Sequence, residues 1–187
     1  MIYALYAVGS LIAVIGLIVL IAALRPSDFR IAHSQLINAS PQALFPYINN
    51  LKRFQEWNPY RDKDRSARNE FSGPEAGPGA VFRWIGDANV GEGIMTIKKV
   101  VPDRTVEVDL EFLRPFPGHN AVAFTLEPQS EGTLVSWCMS GRYALFPKIV
   151  GLFISMDRMI GGDFKTGLKR LKSLAEAGSV EPSALNV

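Results

Sequence analysis

Residues 106–112 read Val106-Glu107-Val108-Asp109-Leu110-Glu111-Phe112. Apolar and acidic side chains alternate without a break, and successive side chains of a strand point to opposite faces. The segment is a half-buried strand: Val106, Val108, Leu110 and Phe112 face a core, while Glu107, Asp109 and Glu111 face solvent. A slip of one residue would exchange the two faces, so the reading of any inner surface depends on this register. Turn residues punctuate a series of strands on either side of it. Phe29 to Asn38 comes first, and Gly79 to Gly86 turns Phe82 and Trp84 inward. Gly91 to Val101 contributes Met95 and Ile97, and Asn120 to Leu126 contributes Val122, Phe124 and Leu126. Thr133 to Gly141 adds Val135, Trp137 and Met139. Pro102-Asp103, Pro115-Phe116-Pro117-Gly118 and Glu131-Gly132 supply the connections. The sum is one antiparallel sheet with an apolar face and a charged face.

The period changes after Pro147. Ile149, Leu152, Phe153, Met156, Ile160, Phe164, Leu168, Leu171 and Leu174 recur mostly three or four apart, which predicts a long amphipathic helix over Pro147 to Ala177. Such a stripe is not stable alone in water and must lie across the sheet's apolar face. Gly151, Gly161, Gly162 and Gly167 interrupt it and predict local breaks or close helix–sheet approach. Nearer the start, Ser40-Pro41 caps a short helix carrying Leu44, Phe45, Tyr47 and Ile48. A second helix runs from Leu51 to Trp57 and stops at Asn58-Pro59. The charged run from Tyr60 to Asn69 reads as a solvated loop.

From Met1 to Leu24 there is no charged side chain. The run Ala4 to Leu24 is about long enough to cross a ~30 Å hydrocarbon layer, and Tyr3 and Tyr6 suit its headgroup zone. No basic region precedes it and Ile21 would occupy the −3 position of a cut after Ala23, so it reads as an uncleaved single-pass anchor. Arg25 and Arg30 flank its C-terminal end, which puts the following domain in the cytoplasm by the positive-inside bias. The expected organisation is an anchor over 1–24, a linker over 25–28, one domain over 29–178 and a flexible tail over 179–187. Four linker residues reach only about 13 Å, which keeps the domain beside the bilayer.

With 20 basic and 18 acidic residues, the chain has no broad field for nucleic acid. One cysteine and two distant histidines give neither a disulfide framework nor metal-ligand spacing. There is no phosphate loop and no nucleophile elbow, so no cofactor or metal is expected. His119 sits at a strand start beside a turn, His33 reads as structural, and Cys138 as a small packed residue. Arg83 and Arg142 read as solvated. Glu92, between Gly91 and Gly93, marks a bulge before it marks a catalytic carboxylate. No catalytic residue is assigned.

Several segments resemble the START-like SRPBCC helix-grip superfamily, in its polyketide cyclase/dehydrase-type branch. They are Ile37 to Phe45, Trp57-Asn58-Pro59-Tyr60, Gly77 to Trp84, Gly91 to Met95, Gly132 to Trp137 and Gly167 to Lys172. The resemblance implies an α+β helix-grip fold, a curved antiparallel sheet wrapped around a long C-terminal helix, here preceded by one transmembrane helix. It also implies a cavity for an apolar ligand between sheet and helix. The apolar positions expected to line it are Trp57, Phe82, Trp84, Met95, Leu110, Phe112, Phe124, Trp137, Met139, Met156, Ile160 and Phe164. The inner face offers no acid, base or nucleophile. This favours a membrane-anchored binding or transport domain for a lipid, an isoprenoid quinone or a polyketide-like molecule. A cyclase- or dehydratase-like enzyme, or a regulatory module for a protein partner, is the alternative; the enzyme needs a polar pair in the cavity, such as Arg83 with Glu92.

Overall fold

In a computed structural model, which describes residues 2–142, 145–152 and 157–178, the alternation expected at 106–112 is realised in a seven-stranded sheet. The strands are Asp28–Ile37 (β1), Arg68–Ser72 (β2), Val81–Ile85 (β3), Glu92–Val101 (β4), Thr105–Arg114 (β5), Gly118–Gln129 (β6) and Gly132–Arg142 (β7). All neighbours are antiparallel, in the order β1-β7-β6-β5-β4-β3-β2. Across β5 and β6, Val108 faces Val122 and Val106 faces Phe124; across β6 and β7, Phe124 faces Trp137. These inward positions are buried, whereas Glu107 is exposed. The register read from the sequence is the register of the fold.

Strand β2 was not among the expected elements. It falls at the end of the segment read as a solvated loop, and its five residues, Arg68-Asn69-Glu70-Phe71-Ser72, are all exposed. One apolar residue in five leaves no alternation to read. Pairing with β3 and stacking of Phe71 on Phe82, with centroids 5.2 Å apart, hold it to the sheet edge.

Two short helices, Pro41–Asn49 (α2) and Leu51–Trp57 (α3), form where their caps predict. The Ser40 Oγ accepts from the Ala43 N–H at 3.3 Å, and the Asn50 Oδ1 accepts from the N–H groups of Lys52 and Arg53. Leu44, Ile48, Leu51, Phe54 and Trp57 are all buried and belong to the same core as the inner face of the sheet. A 3₁₀ turn over Pro59–Asp62 follows.

The single long helix expected over Pro147 to Ala177 is broken. Leu145–Val150 (α4) ends in a turn at Gly151 and Leu152, a π-helical turn spans Asp157–Gly161, and Gly162–Gly178 (α5) is the helix that packs on the sheet. The apolar stripe continues through the interruption, so periodicity alone could not show it. At the end of the π-helical turn only glycine fits at 161, because a Cβ there would strike His33 Nε2 and the Asp157 carboxylate. Gly167 serves close approach instead, since its Cβ would lie 2.9 Å from Trp137 Cζ3 and 3.1 Å from Pro59 Cδ. Met156 and the tail 179–187 lie outside the described residues.

Ile2–Leu24 forms one 23-residue helix (α1), and its apolar residues Leu11, Ile12, Leu17 and Leu20 are exposed. Among the described residues no helix is long and apolar enough to cross a membrane, against the span expected from Ala4 to Leu24. Its C-terminal end is fastened to the domain. Lys148 Nζ donates to the Ala23 carbonyl at 3.3 Å, and Arg25 Nη1 donates to the Gly151 carbonyl at 3.0 Å.

Candidate functional site

The inner face of the sheet is not filled along its whole length. Between β3–β7, α3, the turn after it and the start of α5 lies a cavity of about 330 Å³. Its apolar wall comes from Phe82, Trp84, Met95, Leu110, Phe112, Trp137, Ile160 and Phe164, eight positions expected from the sequence, together with Phe54, Val90 and Val122. Backbone geometry sets the key ring. Trp84 sits opposite Gly93 in the sheet, and a Cβ at Gly93 would strike the indole, so glycine there leaves room for the ring. The Trp84 N–H donates to the Val90 carbonyl at 3.0 Å, which fixes its orientation. Phe112 meets Trp84 edge-on at 5.9 Å. On the helix side, Phe164 stacks on Trp137 at 4.2 Å with planes 8° apart, so α5 is clasped by an aromatic pair.

Three expected lining residues are packed elsewhere. Trp57 and Phe124 are essentially inaccessible and meet edge-on at 5.9 Å, and Met139 is buried; none borders the cavity. They occupy the solid part of the core, which large apolar residues in a sequence do not reveal. Met156, the remaining expected residue, lies outside the described residues.

Sequence reasoning missed the polar side of the cavity. Gln55, Asn58, Tyr60, Lys63, Asp64 and Asp163 are among the residues that line it. Lys63 Nζ lies 2.6 Å from Asp163 Oδ2 and over the Tyr60 ring at 4.9 Å. Burial, then the neighbouring Asp163 carboxylate, raises the Tyr60 pKa well above the ordinary phenol value. Asp64 accepts from Ser66 and from the Asp87 N–H, the latter at 2.8 Å, and these bonds lower its pKa. The charged run is thus a brace between α5 and the β3–β4 turn, reinforced by Arg170 Nη2 on Asp62 at 2.6 Å. Its only early signal was the density of paired charges.

The remaining candidates stand apart from the cavity. Glu92 lies at a register shift between β4 and β5, the expected bulge. Its carboxylate is 2.6 Å from Arg83 Nη2 and 2.6 Å from Arg114 Nη2, bonds that hold its pKa below the ordinary carboxylate value. Neither Arg83 nor Glu92 lines the cavity. His119 is exposed, with Nε2 3.5 Å from Glu111 Oε1. His33 Nε2 lies 2.9 Å from Asp157 Oδ1 and steadies the π-helical turn. Cys138 meets Arg30 Nε at 3.2 Å, and Arg142 pairs with Asp28 at 3.4 Å at the sheet edge. No group of three potential metal ligands occurs among the described residues.

A sheet clasping a C-terminal helix over an apolar cavity defines the START-like SRPBCC helix-grip class. Residues 28–176 match the model of one family within it, described as polyketide cyclase / dehydrase and lipid transport, and the chain belongs to that family. Among solved structures, it resembles a protein from Rhizobium leguminosarum (10% identity, TM-score 0.59, covering 82% of this chain and 97% of that one). A protein from Mesorhizobium loti matches at 17% identity and TM-score 0.58, over 82% of this chain and 100% of that one. DynU16, from the dynemicin biosynthetic locus, matches at 16% identity and TM-score 0.54, over 80% of this chain and 48% of that one. No curated protein matches the chain in sequence.

Proposed function

We propose that residues 29–178 form a binding or transport domain that holds a hydrophobic small molecule between sheet and α5. A lipid, an isoprenoid quinone or a polyketide-like molecule fits this reading. The observation that carries it is the cavity of about 330 Å³, within the usual range for small-molecule sites, with aromatic and aliphatic walls. Phe82, Trp84, Met95, Leu110, Phe112, Trp137, Ile160 and Phe164 would contact the ligand. Family membership supports the same reading, since the family description includes lipid transport.

Helix α1 is read as the anchor. The helix carries no charge, and its exposed aliphatic side chains have no favourable place in water. Arg25 and Arg30 at its C-terminal end support a cytoplasmic domain. The bonds from Lys148 and Arg25 would then hold α4 at the membrane surface, so ligand exchange with the bilayer is local.

The cyclase- or dehydratase-like alternative keeps one support, the Tyr60–Asp163 pair on the cavity wall. Its chemistry is poor: a phenol with a raised pKa is a weak proton donor, and Lys63 already engages the Asp163 carboxylate. The Arg83–Glu92 pair, which an enzyme would need inside, does not border the cavity.

Native mass spectrometry of the full chain released from detergent micelles tests the reading. Adducts in the mass range of a lipid or quinone are expected, and Leu110→Trp, which fills the cavity, should remove them. A bare chain that also takes up nothing from a mixed lipid panel would contradict it.

A further inference from the structure

Outside α1, the large apolar side chains exposed among the described residues are Phe71, Val101 and Phe116. Phe71 stacks on Phe82 at the sheet edge, and Val101 ends β4. Phe116 is the most exposed of the three, at 55%, in the turn between β5 and β6. Arg114, Pro115 and Pro117 beside it are exposed too, so the whole tip of the turn stands out from the domain.

The strand register fixes where that turn stands. Asp28 faces Arg142, Asn120 faces Gly141 and Phe112 faces Gly118, so the start of β1, the end of β7 and the β5–β6 turn share one end of the sheet. Glu92 faces Arg114 and Ile85 faces Glu92, which brings the β3–β4 turn to the same end. The chain arrives there from α1, with only residues 25–27 between Leu24 and Asp28. At a strand spacing of about 4.8 Å, the turn lies on the order of 10–15 Å across the sheet from Asp28. Lys148 and Arg25 pin the end of α1 to α4, which follows the end of β7. Leu11, Ile12, Leu17 and Leu20 remain exposed, so the apolar length of α1 extends away from the domain. A bilayer around α1 therefore has its surface within a linker's reach of this end of the sheet. Val101 and the β6–β7 turn stand at the opposite end, about a strand length, ~33 Å, away.

We infer that the Pro115-Phe116-Pro117 turn is a second membrane contact, with Phe116 entering the headgroup–acyl boundary of the bilayer that α1 is read as spanning. The inference rests on that anchor reading and adds a partner surface to it. An aromatic ring suits this zone. The flanking prolines lack backbone N–H groups, so the tip carries fewer donors that would lose water on entering lipid. The contact also bears on the cavity. A Cβ at Gly91 would strike the Arg114 carbonyl, so the turn abuts residues 86–91, of which Asn89 and Val90 line the cavity. Insertion of Phe116 sets this rim close to the lipid from which an apolar ligand would come.

Cross-saturation NMR on the full, unsubstituted chain tests this, with deuterated protein in nanodiscs of phosphatidylcholine and phosphatidylglycerol. Saturating the lipid acyl protons should attenuate the amide signals of Phe116 and Gly118 severalfold more than those of Val101 and Gly132 at the far end. Amides of α1, such as that of Leu17, should be attenuated most. Phe116→Ser, in an exposed turn where substitution leaves the core intact, should bring Gly118 down to the level of Val101. Strong attenuation in α1 with Phe116 and Gly118 no different from Val101 would overturn the inference and leave the anchor standing. No attenuation in α1 would overturn the anchor reading and the inference with it.

Discussion

The two ends of the inner sheet face carry the same kinds of residue and do opposite things with them. At one end Trp57 and Phe124 interlock edge-on, with centroids 5.9 Å apart, beside helices α2 and α3. At the other, Trp84 and Phe112 are only partly buried and face a cavity across from Ile160. Aromatic content does not separate a solid core from a hollow one. The difference lies in what covers each end: two short capped helices on one side, a π-helical turn and a charged brace on the other.

Substitution at the solid end should have the largest effect on stability. Trp57→Ala removes a fully buried indole and should cost about 3–5 kcal/mol in denaturant unfolding. Leu110→Trp at the hollow end should cost less, about 1–3 kcal/mol, because the added ring enters existing space. The same change should abolish uptake from a mixed lipid panel. If it unfolds the chain as severely as Trp57→Ala does, the two ends are equally packed and the comparison fails. Ser40→Ala deletes the cap of α2, which covers the solid end, and should cost about 1 kcal/mol without changing ligand uptake.

Much of the fold could be read directly because β-strands with one wet face declare themselves. Val106 to Phe112 carries strict alternation and Thr133 to Gly141 a looser one, and Leu110, Phe112 and Trp137 of the cavity wall follow from their register. Trp57, Phe124 and Met139 were misplaced for a physical reason: burial is set by pattern, but the filling of one end rather than another is set by tertiary shape. Strand β2 had too few apolar residues to betray itself, and the broken C-terminal helix kept its stripe across Gly161 and Gly162. The polar wall was hidden because Gln55, Asn58 and Tyr60 come from a helix end and a turn, where no periodicity operates. The paired charges of 60–69 looked solvated until the position of Asp163 on α5 was known.

The smallest effect sharpens the contrast from outside the cavity. Arg83 and Arg114 hold the Glu92 carboxyl below its ordinary pKa, so the stability it contributes is fully present above the ordinary carboxylate pKa. That contribution is lost as pH falls through the depressed value. In urea titrations from about pH 6 down to about pH 3, the unsubstituted chain should lose stability more steeply than Glu92→Gln. Ligand affinity near neutral pH should be unaffected by this change, since Glu92 does not border the cavity. A matched loss of affinity would place the arginine clamp within the site.

Methyl NMR under xenon pressure reaches the central claim most directly, because xenon enters dry apolar voids without needing a polar contact. Resonances of Met95, Leu110 and Val122 should shift with pressure, while those of Leu44, Leu126 and Val135 stay in place. Shifts spread evenly over both sets, or absent from both, would show that no hollow end exists.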